Sequence, residues 1–376
     1  MKTRHGSLIL LPTLRCNAHC EYCFESHGGP RLDPARLDTL IERVLAHMVT
    51  SGMESLTIHW QGGEIMTLSP DWLLAAGERI QRAAERHGKR VLHGLQTNLI
   101  GYKRRWNPVI REMFGNRLGT SMDFPNLHRK LLNGDADAYT ALWTRKLHEA
   151  RDAGIGVGVI AVPNQATLTL GAARFYDYFI GELGLDDIQL NTPFPGGEDN
   201  PVKRELALDL ERLVDFQREL VERWMAEGQA RGVRIGPYDA LLEILGHGTA
   251  TLPCIWGGNC ADQFIAIDPR GAVAQCDCWV SSYPDHHFGN LLATDSLGEL
   301  LETSPAHRRF RRRPARILAS GCLDCEYLAL CHGGCPVRSH AFHGDMMAPD
   351  PYCRLYLAAF RQMRGHAARL AAARRA

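Results

Sequence analysis

Apolar residues in this chain fall in short runs that alternate with longer amphipathic stretches, and that alternation predicts the architecture. Short runs such as Ser7-Leu-Ile-Leu-Leu11 read as buried strands, which predicts strands at 7–12, 55–60, 91–96, 117–121, 155–162 and 187–191. Between them apolar positions follow helical spacing, predicting helices over 33–49, 70–87, 105–114, 137–153, 169–182 and 203–230. Asp33 is placed to cap the first of these and Pro34 suits its first turn. Strands separated by helices and joined right-handedly form a parallel sheet. Six of them curl into a partial (β/α)6 barrel of the α/β class. Chemistry in such folds gathers on the loops that follow the carboxyl ends of the strands.

Length and composition sharpen this picture modestly. At 376 residues the chain has room for two domains, and 45% hydrophobic with 23% charged residues is ordinary for a soluble globular protein. A formal net charge of +1 argues against nucleic acid or a membrane surface as partner. The opening Met-Lys-Thr-Arg-His is too polar for a signal peptide, and no run approaches the roughly 20 apolar residues of a membrane span. A cytoplasmic location is expected.

The cysteines change the picture most. Of 12, three lie at Cys16, Cys20 and Cys23, none occurs again before Cys254, and nine follow. That gap divides the chain into an expected barrel domain, 1–235, and a cysteine-rich domain, 236–376, ending in a helix. A large chain without an export signal and with clustered cysteines is expected to use them as ligands and not as disulfides. Three thiolates can serve a structural zinc site or an iron–sulfur cluster. A 4Fe–4S cluster held by only three keeps one iron open to a small molecule. The triplet follows at once on the first strand, where a barrel places its chemistry, and this favours the cluster.

The Cx3Cx2C spacing, with Tyr22 just before the third cysteine, resembles the signature of the radical S-adenosylmethionine (SAM) enzymes. The resemblance implies that the open iron binds SAM and that an electron cleaves it to methionine and a 5′-deoxyadenosyl radical, which abstracts hydrogen from substrate. It extends to other strand ends. His59-Trp-Gln-Gly-Gly-Glu64 resembles the family's Gly-Gly-Glu element, in which the backbone of Gly62 and Gly63 and the Glu64 carboxylate would bind the SAM amino group. Gly-Gly is also common in plain turns. Leu95-Gln-Thr-Asn98 is similar to a polar strand end of the same enzymes, with a role toward SAM or substrate. Thr120-Ser-Met-Asp-Phe-Pro125 resembles a Ser-x-Asp-Gly-Pro element that would set Ser121 and Asp123 at the ribose; the family glycine is Phe124 here, a departure that would narrow or reshape the pocket. The glycine-rich fifth strand lacks GxGxxG, so it reads as a packed strand. The loop from Asn191 to Gly197 is expected as a lid, a substrate wall or a simple turn.

The later cysteines read C-x10-G-x4-C from Cys260 through Gly271 to Cys276, then Cx2Cx5Cx3C from Cys322 to Cys335, then Cys353. This resembles the SPASM extension, which holds two auxiliary 4Fe–4S clusters. The resemblance assigns Cys254, Cys260, Cys276 and Cys335 to the first auxiliary cluster and Cys322, Cys325, Cys331 and Cys353 to the second. Cys278 is left over, expected as a small, partly buried side chain, with ligand exchange or substrate contact as alternatives. Asp277 matches the aspartate that serves as general base in the sulfatase-maturing branch; a solvated loop carboxylate is the plain alternative. His286 and His287, and the arginines Arg308 to Arg313, are expected on solvated surfaces.

Together these motifs imply an enzyme that abstracts hydrogen from a side chain of a peptide or protein, leading to its oxidation or crosslinking. Its cofactors would be SAM and three 4Fe–4S clusters, and its partner a low-potential electron donor such as a flavodoxin or ferredoxin. A first strand near residue 7 is expected to leave substrate recognition external, leaderless or built into the barrel. Rival readings are a sulfatase maturase forming formylglycine, an enzyme of free amino acids or small metabolites, and a non-catalytic zinc scaffold.

Overall fold

The computed structural model describes residues 4–193, 207–248, 252–258 and 260–373. They form two compact units: Met1–Ser121, His128–Val157 and Asn259–Arg312 make the first, and Met122–Leu127, Gly158–Gly258 and Arg313–Ala376 the second. The units cut across the expected boundary at residue 235 and take segments from both sides of it. Strands are β1 (His5–Leu10), β2 (Ser55–Trp60), β3 (Arg90–Leu95), β4 (Arg117–Ser121), β5 (Gly156–Ala161), β6 (Asp187–Leu190), β7 (Arg234–Gly236), β8 (Phe264–Ile267), β9 (Ala272–Ala274) and β10 (Gly289–Asn290). The helices that matter below are α1 (Pro34–Ser51), α2 (Pro70–Arg86), α3 (Asn107–Phe114), α4 (Ala136–Asp152), α5 (Gln165–Tyr176), α6 (Leu210–Arg223), α7 (Tyr238–His247) and α8 (Asp277–Ser282).

In the first unit β1, β2 and β3 run parallel, with Leu8 beside Ile58 and Leu10 beside Trp60. All four side chains are fully buried, as strands flanked on both edges and covered on both faces require. The Asp33 side chain accepts the Arg36 N–H at 2.9 Å to cap α1. That helix buries Leu37, Leu40, Ile41, Val44, Leu45 and Met48 at the predicted spacing, and Gly52 ends it in a left-handed turn. A parallel bridge from Gln96 to Gly119 brings β4 beside β3.

The six expected strands are all present, displaced by no more than a residue or two. The pattern did not foresee β7 to β10, of which β8 matters most. Phe264-Ile-Ala-Ile267 pairs in parallel with β1 on the edge away from β2, Leu8 facing Ile265 and Leu10 facing Ile267. It doubles back into β9 through a turn in which the Asp268 carboxylate accepts the Arg270 and Ala272 N–H groups, at 2.9 and 2.8 Å. Gly271, the glycine of the cysteine pattern, sits in that turn at φ +85°, where a Cβ would strike Leu292 and Asn290.

In the second unit β5, β6 and β7 are parallel, Val159 beside Ile188 and Ile188 beside Ile235. α5 starts four residues earlier than expected because Asn164 and Thr167 form a capping box, and it continues as a widened turn to Glu182. The 203–230 helix is shorter than expected: α6 starts at Leu210, widens over 224–228, and the expected start at 203–206 lies outside the described residues. So does the expected lid loop beyond residue 193. The C-terminal helix Cys353–Ala373 packs on α6 and α7 through Leu355, Tyr356, Ala359, Phe360 and Met363.

Two surface expectations are corrected. His286 and His287 are half-buried, His286 lying against the Trp279 ring and His287 bonding the Val280 carbonyl at 2.9 Å. Arg313 is buried, because its guanidinium caps the carbonyls of Met346, Gly333 and Ala348, while Arg308, Arg309, Arg311 and Arg312 are exposed as expected. Among the described residues no helix is long and apolar enough to cross a membrane.

Candidate active site

The chain leaves β1 and enters the cysteine triplet through a loop with almost no regular structure of its own. Residues 128–131 hold it in shape: His19 N–H bonds Lys130 O at 2.8 Å and Glu21 N–H bonds His128 O at 2.9 Å. Between Cys20 and Cys23, the Glu21 carboxylate meets His128 Nδ1 at 3.0 Å and Lys130 Nζ at 2.6 Å. Tyr22 stands edge-on to His128, and the Arg129 guanidinium lies 5.3 Å from its ring centre. Burial pushes the Cys16 and Cys23 thiols up to about 12, with the negative charge of Cys20 and, for Cys16, of Glu64 adding to it. Buried thiols that also repel one another ionise together only against a positive counter-charge, which a bound metal cluster would supply. The donor set fits the implied 4Fe–4S cluster.

The Gly62-Gly63-Glu64 turn, directly after β2, docks along the start of this loop. Gly63 N–H bonds Thr13 O at 3.0 Å and Glu64 N–H bonds Arg15 O at 2.9 Å. The approach is so close that a Cβ on Gly63 would lie 2.5 Å from Arg15 O, and one on Gly62, at φ +130°, 2.5 Å from Thr13 O. The Glu64 carboxylate is 2% exposed and accepts Met66 N–H at 2.7 Å, Thr97 Oγ1 at 2.5 Å and Asn98 N–H at 2.6 Å. Burial holds it above the usual carboxylate range against those bonds. A carboxylate offers about four lone-pair positions, so one remains for an ammonium group.

The Gln-Thr-Asn segment after β3 is the clamp between these parts, a role its sequence did not disclose. Thr97 and Asn98 hold Glu64, Asn98 Nδ2 bonds Asn17 Oδ1 at 2.7 Å beside Cys16, and Gln96 Nε2 bonds Ser121 Oγ at 2.9 Å. In the second unit, Asp123 is buried and accepts the Val162 N–H at 3.0 Å. Phe124 stacks on Tyr178 with ring centres 3.9 Å apart, and the Arg174 guanidinium lies 4.9 Å from its centroid. The departure from glycine is thus taken up by a local stack.

Asp277 opens α8, and its Oδ2 accepts Gln61 Nε2 at 2.6 Å, so the end of β2 holds both the glycine turn and this carboxylate. Burial holds the Asp277 carboxyl above its usual range. Glu25, two residues past Cys23, is pushed up to about 8 by burial and then by Asp277, and it accepts the Ser281 hydroxyl at 2.5 Å. Gln61 and Glu25 were missed by sequence reasoning; their only signal was adjacency, to Gly62 and to the triplet. The ligand atoms of Cys276, Asp277 and Cys278 lie within 4.8 Å of one another, so Cys278 lies beside the carboxylate.

Cys322, Cys325, Cys331 and Cys353 all belong to the second unit. Burial pushes Cys331 up to about 12, with Cys353 and Cys322 contributing, and Cys353 is raised by burial and then by Cys322 and Cys325. Each of the four thus takes part in one mutually repelling set, which fits a tetrathiolate cluster. Of the other four, Cys260 and Cys276 lie in the first unit and Cys254 and Cys335 in the second.

Residues 254–326 match the family described as SPASM, an iron–sulfur cluster-binding domain. The chain is similar to the serine-type anaerobic sulfatase-maturating enzyme of Bacteroides thetaiotaomicron, 22% identical over 343 residues that cover 85% of this chain and 80% of that protein. Among solved structures it is similar to native anSMEcpe with bound AdoMet and Cp18Cys peptide, with TM-score 0.79, 21% identity and coverage of 98% and 99% of the two chains. It is also similar to Streptococcus suis SuiB bound to precursor peptide SuiA, with TM-score 0.60, 16% identity and coverage of 94% and 76%. The expected partial barrel with a SPASM domain after it is the fold these structures share with the chain.

Proposed function

We propose that this chain, a radical SAM enzyme with a SPASM domain, is a cytoplasmic maturase that abstracts hydrogen from a side chain of a peptide or protein and so oxidises or crosslinks it. The observation that carries the reading is the convergence at the end of β2: the Gly-Gly-Glu turn locked onto the head of the three-thiol loop, and Asp277 held by Gln61 one residue earlier. Its similarity to a sulfatase-maturating enzyme, anSMEcpe with a bound peptide and SuiB with its precursor supports a polypeptide substrate.

When bound, SAM and three 4Fe–4S clusters would supply the adenosyl radical, the electron that generates it and the acceptor for the electron leaving the substrate. Cys16, Cys20 and Cys23 would hold the first cluster. Gly62, Gly63 and Glu64 would seat the SAM amino group, Tyr22 would flank the bound cofactor, and Ser121 and Asp123 would take its ribose. Cys254, Cys260, Cys276 and Cys335 would hold the first auxiliary cluster, and Cys322, Cys325, Cys331 and Cys353 the second. In function, residues 236–376 act as the auxiliary-cluster domain and 1–235 as the radical domain, served by a flavodoxin- or ferredoxin-like donor. Asp277 acts as general base: burial raises its proton affinity, Gln61 fixes its orientation, and it takes the proton that leaves as the substrate radical is oxidised.

A maturase converting Cys or Ser to formylglycine is the second reading: Asp277, which matches the base of that branch, is held by Gln61, while Phe124, stacked on Tyr178 and Arg174 where that branch carries glycine, is a departure from it. The test is to offer side-chain-deuterated precursor peptide encoded beside the gene, a sulfatase-type peptide and deuterated free amino acids. Deuterium in 5′-deoxyadenosine from one of the peptides is expected; transfer only from a free amino acid overturns the polypeptide reading. With the accepted peptide, Asp277→Asn should still release 5′-deoxyadenosine while product falls at least roughly 100-fold. Undiminished product would remove Asp277 as the base.

A further inference from the structure

The loop from Cys331 to Cys335 carries one thiol of each auxiliary set, and it rests on a buried polar cluster that the proposed reaction does not use. Asp350 is 3% exposed, Arg338 6% and Tyr356 2%. The Asp350 Oδ2 accepts the Cys335 N–H at 2.8 Å and the Tyr356 hydroxyl at 3.1 Å, while Oδ1 accepts the Tyr352 N–H at 2.9 Å. Its backbone is engaged as well: Asp350 N–H bonds Gly333 O at 3.0 Å, and Cys353 N–H bonds Asp350 O at 3.1 Å. One aspartate therefore touches the main chain at Cys335, at Cys353 and two residues from Cys331. Gly334, at φ +70°, has no room for a Cβ because Asp350 fills the space.

On its other side the carboxylate is held by a cation. Arg338 Nη1 donates to the Tyr356 hydroxyl at 2.7 Å, and its guanidinium stands 3.9 Å from Asp350 Oδ2 and 5.7 Å from the Tyr352 ring centre. Buried carboxylates persist when paired and hydrogen-bonded in this way. The arrangement is directional. Asp350 lies toward the ligand backbone, whereas Arg338 reaches it through Tyr356.

We propose that Asp350 is a positioning residue that sets the redox poise of the auxiliary cluster held by Cys322, Cys325, Cys331 and Cys353. This rests on the assignment of those four thiols to one cluster made above. Net charge and hydrogen bonding around an iron–sulfur cluster govern its potential. A fixed negative charge in a low-dielectric interior opposes the addition of an electron. Asp350 lowers the potential of this cluster, so that an electron taken from the substrate is readily passed on to an external acceptor. Arg338 and Tyr356 keep the carboxylate where it can do so.

The test is Asp350→Asn in the anaerobically reconstituted holoprotein, with iron content measured and the auxiliary clusters titrated by EPR-monitored potentiometry. Asparagine keeps the size and one acceptor and removes the charge. Wild-type iron with an upward shift of one auxiliary midpoint potential is expected. Tyr356→Phe, which removes one hydrogen bond and leaves the charge with its Cys335 and Tyr352 N–H bonds, should shift the midpoint far less. Unchanged midpoints in Asp350→Asn, or the same shift in Tyr356→Phe, overturn the proposal. If Asp350→Asn loses iron, Asp350→Glu decides: recovered iron and midpoint support the charge, and iron lost again reduces Asp350 to a structural clamp and overturns it. Wild-type iron in the triple variant Cys322→Ala, Cys331→Ala, Cys353→Ala would instead refute the four-thiol assignment.

Discussion

Replacing Gly63 by alanine tests whether the Gly-Gly-Glu turn must touch the cluster loop. The added Cβ would stand 2.5 Å from Arg15 O and 2.6 Å from Leu14 C and O, where ordinary contact begins at 3.4 Å. These are main-chain atoms of the segment entering Cys16, and they cannot swing aside as a flexible side chain would. The two segments must part by roughly 1 Å, stretching the Gly63–Thr13 and Glu64–Arg15 hydrogen bonds. Overpacking of this kind costs about 1–3 kcal/mol. A displacement of about 1 Å at reacting groups can cost ~100-fold in rate. The assay is the rate of 5′-deoxyadenosine release per reconstituted chain, with iron content and thermal unfolding recorded beside it. A fall of about 100-fold with auxiliary iron retained is expected. Gly181→Ala is the control, because nothing lies within 4 Å of its Cβ position. Wild-type cleavage in Gly63→Ala would show that the loop relaxes freely and that the close approach is incidental.

Glu25 titrates near 8 in the folded protein against 4.5 for an ordinary glutamate, so the folded state retains its proton over that interval. Its contribution to stability is complete below about pH 4.5 and is lost as pH rises through about 8. Urea unfolding of the metal-free Glu25→Gln variant should accordingly show a flatter decline across that window, and an unchanged slope would contradict the burial of Glu25 against Asp277. Cys278→Ser should retain the roughly twelve irons of three clusters; a loss of about four would make Cys278 a ligand.

Much of the architecture was legible because it depends on local pattern. Strand runs such as Ser7–Leu11 and the Asp33-Pro34 start of α1 carry their signals within a few residues, and burial of both faces of a parallel sheet makes the apolar runs continuous. The cysteine triplet was legible for the same reason: thiols on one short loop stay near one another whatever the rest of the chain does, as Cys16, Cys20 and Cys23 do. β8 was hidden because three or four apolar residues between cysteines have no periodicity to read, and only the open edge of β1 makes them a strand.

The sequence by itself therefore determined the barrel class, the three-cysteine loop after β1 and the turns at the strand ends, each written in neighbouring residues. Only the tertiary structure decided what those motifs hold on to. Glu64 is read from its motif as a SAM contact, and the fold makes it the buried acceptor for Thr97 and Asn98. Phe124 looked like a change to the pocket and proved to be half of a stack with Tyr178. Asp277 gained its orientation from Gln61, 216 positions away, and Cys335 its backbone partner from Asp350. Hydrogen bonds and buried charges act over a few ångströms in space, and no spacing along the chain records which distant residue folding will bring within that reach.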